Sequence, residues 1–196
     1  MAQAEAAYPV QLSVDYPDRA LNCLATLFRP FTVIPIAIVA WAITAGAGGT
    51  LAGAPLLMIL FRKKYPKWWF DWNLALSRFN SRISAYMLLL RDEYPSTDEE
   101  QAVHLEIAYP DVERDLNRWL PLVKWLLAIP HYIVLIFLFI GVVVVVIISW
   151  FAILFTGRYP RDVFGFVVGV MRWASRVNAY ALLLVTDRYP AFRLGP

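Results

Sequence analysis

The sequence predicts an α-helical integral membrane protein, built as a tandem duplication of one unit of roughly 94 residues. Each unit is expected to run strand, membrane helical hairpin, interfacial amphipathic helix. Three observations predict it. Hydrophobic residues make up 60% of the 196-residue chain and charged residues only 17%, against about 25% charged in an ordinary soluble domain. Two long stretches, 30–61 and 125–157, carry no Asp, Glu, Lys or Arg. Ordered matches recur along the chain at a nearly constant offset of 93 to 95 residues.

The repeat is carried by polar positions as well as apolar ones. Val10 to Asp18 aligns with Val103 to Asp111, both ending Tyr-Pro-Asp. Leu21-Asn22 aligns with Leu116-Asn117, Arg29 with Lys124, and Ile34-Pro35 with Ile129-Pro130. Lys64-Tyr65-Pro66-Lys67 aligns with Arg158-Tyr159-Pro160-Arg161, and Asp92-Glu93-Tyr94-Pro95 with Asp187-Arg188-Tyr189-Pro190. The units are residues 8–95 and 102–192, joined by the polar linker STDEEQ at 96–101.

Each unit opens with alternating apolar residues: Val10, Leu12 and Val14, then Val103, Leu105 and Ile107. That period marks a half-buried strand. A lone strand is unstable, so the two copies pair with each other or with a partner chain. Asp18 and Asp111 are placed to N-cap the helices that follow.

A bilayer core takes about 20 helical residues. Each charge-free run is therefore long for one upright span and short for two. Glycines near the middle, Gly46 and Gly49 in the first copy and Gly141 in the second, favour a hairpin turn. Basic residues at both ends of each run (Arg29 and Arg62 to Lys64, then Lys124, Arg158 and Arg161) place both ends on the cytoplasmic side. A full hairpin, a re-entrant hairpin and one long tilted helix per unit remain open at this point. The termini and the Arg-rich helices are expected to be cytoplasmic.

The second helical segment spans 67–91 and 161–186. Arg78, Arg82 and Tyr86 are spaced by four and share a face, as do Arg172, Arg176 and Tyr180. Guanidinium groups suit phosphate, so these six residues are the candidate site for anionic lipid headgroups. The alternative is structural, with the arginines anchoring the helix or pairing with Asp92, Glu93 or Asp187. Gly49-x3-Gly53 and Gly165-x3-Gly169 have spacing that lets helices approach closely.

Cys23 stands alone, so no internal disulfide forms. No basic start followed by an apolar run precedes the first membrane segment, so that segment is expected to direct insertion itself. His131 replaces Ile36 of the first copy and is expected to be a hydrogen-bonded core residue rather than a metal ligand. No phosphate loop, nucleophile elbow or zinc spacing occurs, and no metal or cofactor is expected. A net charge of +3 flanking apolar runs suits anionic lipid better than nucleic acid.

Leu127 to Val134, Trp150 to Pro160, Arg172-Trp173 with Arg176-Val177, and Thr186 to Phe192 resemble an uncharacterised bacterial family. It is a domain-of-unknown-function family of small membrane proteins, often found as tandem copies. The resemblance covers nearly the whole chain and is closer in the second copy. It implies the bacterial inner membrane and no established activity. The function expected is a non-catalytic accessory or scaffold subunit of a larger membrane complex, with other membrane subunits and anionic lipids as partners. Transport or lipid handling is the alternative, and a lipid-acting enzyme ranks last.

Overall fold

A computed structural model describes residues 8–97 and 99–195, with backbone alone for 44–52. The order is β1 (Val10–Val14), α1 (Cys23–Leu57), a π-helical turn (Met58–Arg62), α2 (Lys67–Met87), β2 (Val103–Ile107), α3 (Val112–Asp115), α4 (Pro121–Leu127), α5 (Ile129–Thr156) and α6 (Arg161–Ala181).

The two strands satisfy each other. β1 and β2 pair antiparallel, with Leu12 opposite Leu105 and Val10 opposite Ile107. Leu12 and Leu105 are equivalent repeat positions, so the two copies meet about a local two-fold axis through that pair. Both strands bury the same alternate residues, which sets the axis normal to the sheet. β1 packs on α6 and β2 on α2, so each strand covers the other copy's helix.

Beneath α2 and α6 lie α1 and α5, each packed on the amphipathic helix of its own copy. α1 and α5 run antiparallel. Leu21 N–H donates to Gly157 O at 2.8 Å, and Trp150 Nε1 donates to Thr26 O at 3.0 Å. At the other end Arg118 donates to Leu60 O and Phe61 O. The molecule is thus a sheet, a helix pair and a second helix pair in three layers.

The expected hairpins are corrected. α1 continues as helix through residue 46 and α5 through Gly141. Each copy carries one long apolar helix between its strand and its amphipathic helix, preceded in the second copy by the short α3 and α4. A mid-helix glycine costs about 1 kcal/mol. A reversal there would instead strand the unbonded N–H and C=O groups of two new helix ends in an apolar layer. The surroundings of Gly46 and Gly49 lie outside the described residues. Helix capping also differs from expectation. Asp111 caps α3, but Asn22, not Asp18, caps α1, accepting from Leu24 and Ala25 N–H.

The amphipathic helices end earlier than expected, at Met87 and Ala181. Leu89 and Leu184, equivalent and buried, take positive φ of 63° and 57° and turn the chain back. Lys63 also sits at positive φ (49°), where the second copy has Gly157 (68°). A left-handed residue with a Cβ costs roughly 1–2 kcal/mol. Lys63→Gly is therefore expected to raise stability by about 1 kcal/mol, read as a higher unfolding temperature in detergent.

Two stretches, Cys23–Ile43 and Ile129–Thr156, are long and apolar enough to cross a membrane. Their outer faces leave Phe31, Ile38, Trp41, Phe137, Val144, Ile148 and Phe155 exposed. Soluble monomers rarely expose a continuous apolar surface of that extent.

Candidate functional site: the axial cavity and its polar frame

The two-fold arrangement repeats its polar contacts with partners exchanged. Arg78 Nε donates to Leu105 O at 2.9 Å, and Arg172 Nε donates to Leu12 O at 3.0 Å. Tyr109 Oη donates to Tyr65 O, and Tyr16 Oη to Tyr159 O, both at 2.5 Å. Each contact joins one copy to the other, so the halves are stitched at the sheet and at the start of α2 and α6.

A second pair of contacts closes each copy on itself. In the second copy Lys124 Nζ lies 2.7 Å from Asp187, donates to Thr186 O at 2.7 Å, and sits 5.2 Å from the Tyr180 ring. In the first copy Arg29 pairs with Asp92, donates to Arg91 O at 3.0 Å and lies 4.5 Å from the Tyr86 ring. Lys124 is fully buried. Burial holds its ammonium below the usual lysine range, while Asp187 pulls it back up. Asp92 and Asp187 also accept the backbone N–H of Asn22 and Asn117. Each carboxylate thereby ties the turn after the amphipathic helix to the start of the apolar segment. The sequence carried a signal for this latch: opposite charges at equivalent positions in both copies.

The arginine stripes are placed on one face as expected, and that face meets backbone carbonyls. Arg82 donates to Ser96 O at 2.8 Å. Arg172 adds Leu194 O at 3.1 Å, and Arg176 binds Gly195 O at 3.2 Å and Arg193 O. Arg176 is 2% exposed, and burial with Arg193 and Arg172 nearby lowers its pKa. Each of the four guanidinium groups therefore already serves at least one carbonyl. Glu100 and Glu106 line the hollow beside Arg78 and Arg82, which disfavours an anion there. Tyr86 and Tyr180 are buried in the latches.

The glycines divide. Gly53 and Gly165 have open space where a Cβ would stand, and Gly141 faces the Phe166 ring. At Gly169 a Cβ would meet Leu194 Cβ at 2.9 Å and Leu194 O at 3.1 Å. Gly169 thus seats the C-terminal tail rather than another helix. Gly169→Val is expected to cost about 1–3 kcal/mol by overpacking and to release that tail. Trypsin should then cut after Arg193 faster than in the parent, whereas Gly165→Val should leave the rate unchanged.

Between α2 and α6, under Leu105 and Ile107 and beside Phe139, lies a cavity of about 400 Å³. It adjoins the two-fold axis and carries Asn80, Ser81, Ser84, Ser175 and Asn178 on its walls. Ser81, Ser84 and Ser175 each donate to the carbonyl four residues back. Their oxygens remain as acceptors beside Asn80 and Asn178, on walls otherwise built largely of Met, Leu, Ile and Phe side chains. Such a site suits an apolar molecule with a donor group. Nothing in the sequence led to an expectation of the cavity, although Ser81 and Ser175 on its walls occupy equivalent positions in the two copies.

His131 is buried with Nδ1 accepting from Trp173 Nε1 at 3.1 Å, and its ring stacks on Phe192 at 4.0 Å. Among the described residues no three His, Cys, Asp or Glu side chains gather closely enough to hold a metal.

The family described as Domain of unknown function (DUF4389) matches residues 24–97 and again 119–193, together more than half of the chain. No curated protein and no solved structure matches it.

Proposed function

This chain belongs to the DUF4389 family in two tandem copies, and from that premise we propose that it is a non-catalytic accessory or scaffold subunit of a bacterial inner-membrane complex. One observation carries the reading: the molecule has two unlike sides. One is the apolar surface of α1 and α5. The other is the sheet, whose outward Gln11, Ser13, His104 and Glu106 are exposed. A scaffold needs this sidedness, with an anchor on one side and a polar docking face on the other.

Anionic lipid contacts fall first to the exposed cations at the helix ends, Arg62, Lys63, Lys64, Arg158 and Arg161. The stripe arginines, held by backbone carbonyls and, at Arg78 and Arg82, beside Glu100 and Glu106, are the weaker candidates. The reading predicts that mild-detergent purification from the native host brings down other membrane chains in fixed ratio. A protein that runs clean and alone, at native expression, contradicts it.

The axial cavity favours transport or lipid handling as the second reading. Under it, Ser81→Leu with Ser175→Leu fills the cavity and abolishes uptake or lipid binding in vesicles. Unchanged uptake rejects it.

A further inference from the structure

We propose that α1 and α5 lie flat in a single leaflet of the bilayer, with the local two-fold axis along the membrane normal, so that neither helix crosses. The inference rests on the membrane reading above and fixes which lipid surface the apolar layer takes.

The symmetry leaves two orientations. The antiparallel α1 and α5 are exchanged by an axis perpendicular to both, and that axis passes through Leu12 and Leu105 of the sheet. If the long helices stood upright, the axis would lie in the bilayer plane at its middle. The sheet would then sit at mid-membrane depth. Among the described residues the sheet has two edges with no strand beside them, bonded by arginine at Leu12 O and Leu105 O, and open sheet edges do not survive in hydrocarbon. The same depth would receive Glu106 and His104, exposed on the sheet, and Arg91 and Glu93 beside it. Charges at that depth are among the costliest placements in a membrane.

If the helices instead lie in the plane, every one of these groups is in water. The sheet then faces away from the lipid, and the exposed aromatic and branched residues of α1 and α5 face the acyl chains. Length agrees. At 1.5 Å per residue α1 extends about 52 Å and α5 about 42 Å, well beyond a hydrocarbon core of about 30 Å. Charge agrees too. Exposed cations stand at both ends of both apolar segments: Arg19, then Arg62, Lys63 and Lys64, then Arg118, then Arg158 and Arg161. In the flat orientation they form a rim at one headgroup level, matched to anionic lipid. In the upright orientation they would be split between two surfaces. The occupant of the apolar face is therefore one anionic leaflet.

The test uses the full chain in the Cys23→Ala background, with single cysteines at Asp18, Arg62, Arg158 and Glu106. Asp18 and Arg62 flank one long helix, and Arg62 and Arg158 mark the C-terminal ends of two antiparallel ones. Spheroplasts and inside-out vesicles are treated with a membrane-impermeant maleimide. The flat orientation predicts that all four positions label from the same face, the cytoplasmic one, and that Glu106 labels as readily as the rest. Asp18 and Arg62 labelling from opposite faces, or Glu106 inert while the ends react, overturns it. Alkaline carbonate extraction separates the failures. Protein that stays with the pellet but labels on two faces refutes the flat orientation alone. Protein that washes off refutes the membrane reading and the orientation with it.

Discussion

Asp187→Ala is expected to destabilise the protein by about 3–5 kcal/mol, because it leaves a fully buried ammonium without its counter-charge. Lys124 would keep only Thr186 O and the Tyr180 ring. Asn117 N–H would also lose its acceptor. The equivalent Asp92→Ala is expected to cost less. Arg29 retains the carbonyls of Tyr86 and Arg91 and spreads its charge over a planar group. Lys124→Met should fall below Asp187→Ala as well, since it removes the buried charge, and Asp187 is 20% exposed. Thermal unfolding of the three variants in one detergent gives the order. If Asp92→Ala proves the most damaging, the latch account is wrong.

The second large effect is expected at the axis. Leu12 is 3% exposed and faces Leu105 across the two-fold. Leu12→Asp removes a buried side chain worth about 2–5 kcal/mol and puts a carboxylate that must be desolvated in its place. The Arg172 guanidinium bonds the Leu12 carbonyl from the helix side, so the strand and α6 should separate together. Ser13→Asp, one residue on, points to water and should change stability by less than about 0.5 kcal/mol. Limited proteolysis between residues 8 and 22 reads the difference. Rapid cleavage is expected only in the Leu12 variant, and equal cleavage in both would show that the strand contributes little.

Much of this architecture could be read from the chain because duplication writes each physical requirement twice. The strands Val10–Val14 and Val103–Ile107 followed from alternation; the cost of leaving one alone called for a partner strand, and that each is the other's partner, rather than a second chain's, came from the structure. The starts of α2 and α6 followed from the Tyr-Pro steps. The course of α1 and α5 was less legible. Glycine permits a reversal without requiring one. In an apolar run the helix that keeps its own backbone bonds is favoured, and a composition-based reading cannot weigh the two. The latch was half visible, since Arg29 and Lys124 aligned, as did Asp92 and Asp187. That they meet depends on Leu89 and Leu184 turning the chain, and leucine gives no signal for positive φ. The arginine stripes were recognised as a face, but what the face touches depends on the strand exchange between copies. The cavity arises where α2 and α6 stand apart beneath the sheet, a spacing set by three layers at once.

Polarised infrared absorption on aligned bilayers tests the central claim most directly. The amide I dichroism reports the mean tilt of the four long helices relative to the membrane normal. Helices lying along the surface give a mean tilt near 90°, which is the result this architecture requires. A mean tilt near that of membrane-crossing helices, about 20°, would contradict it.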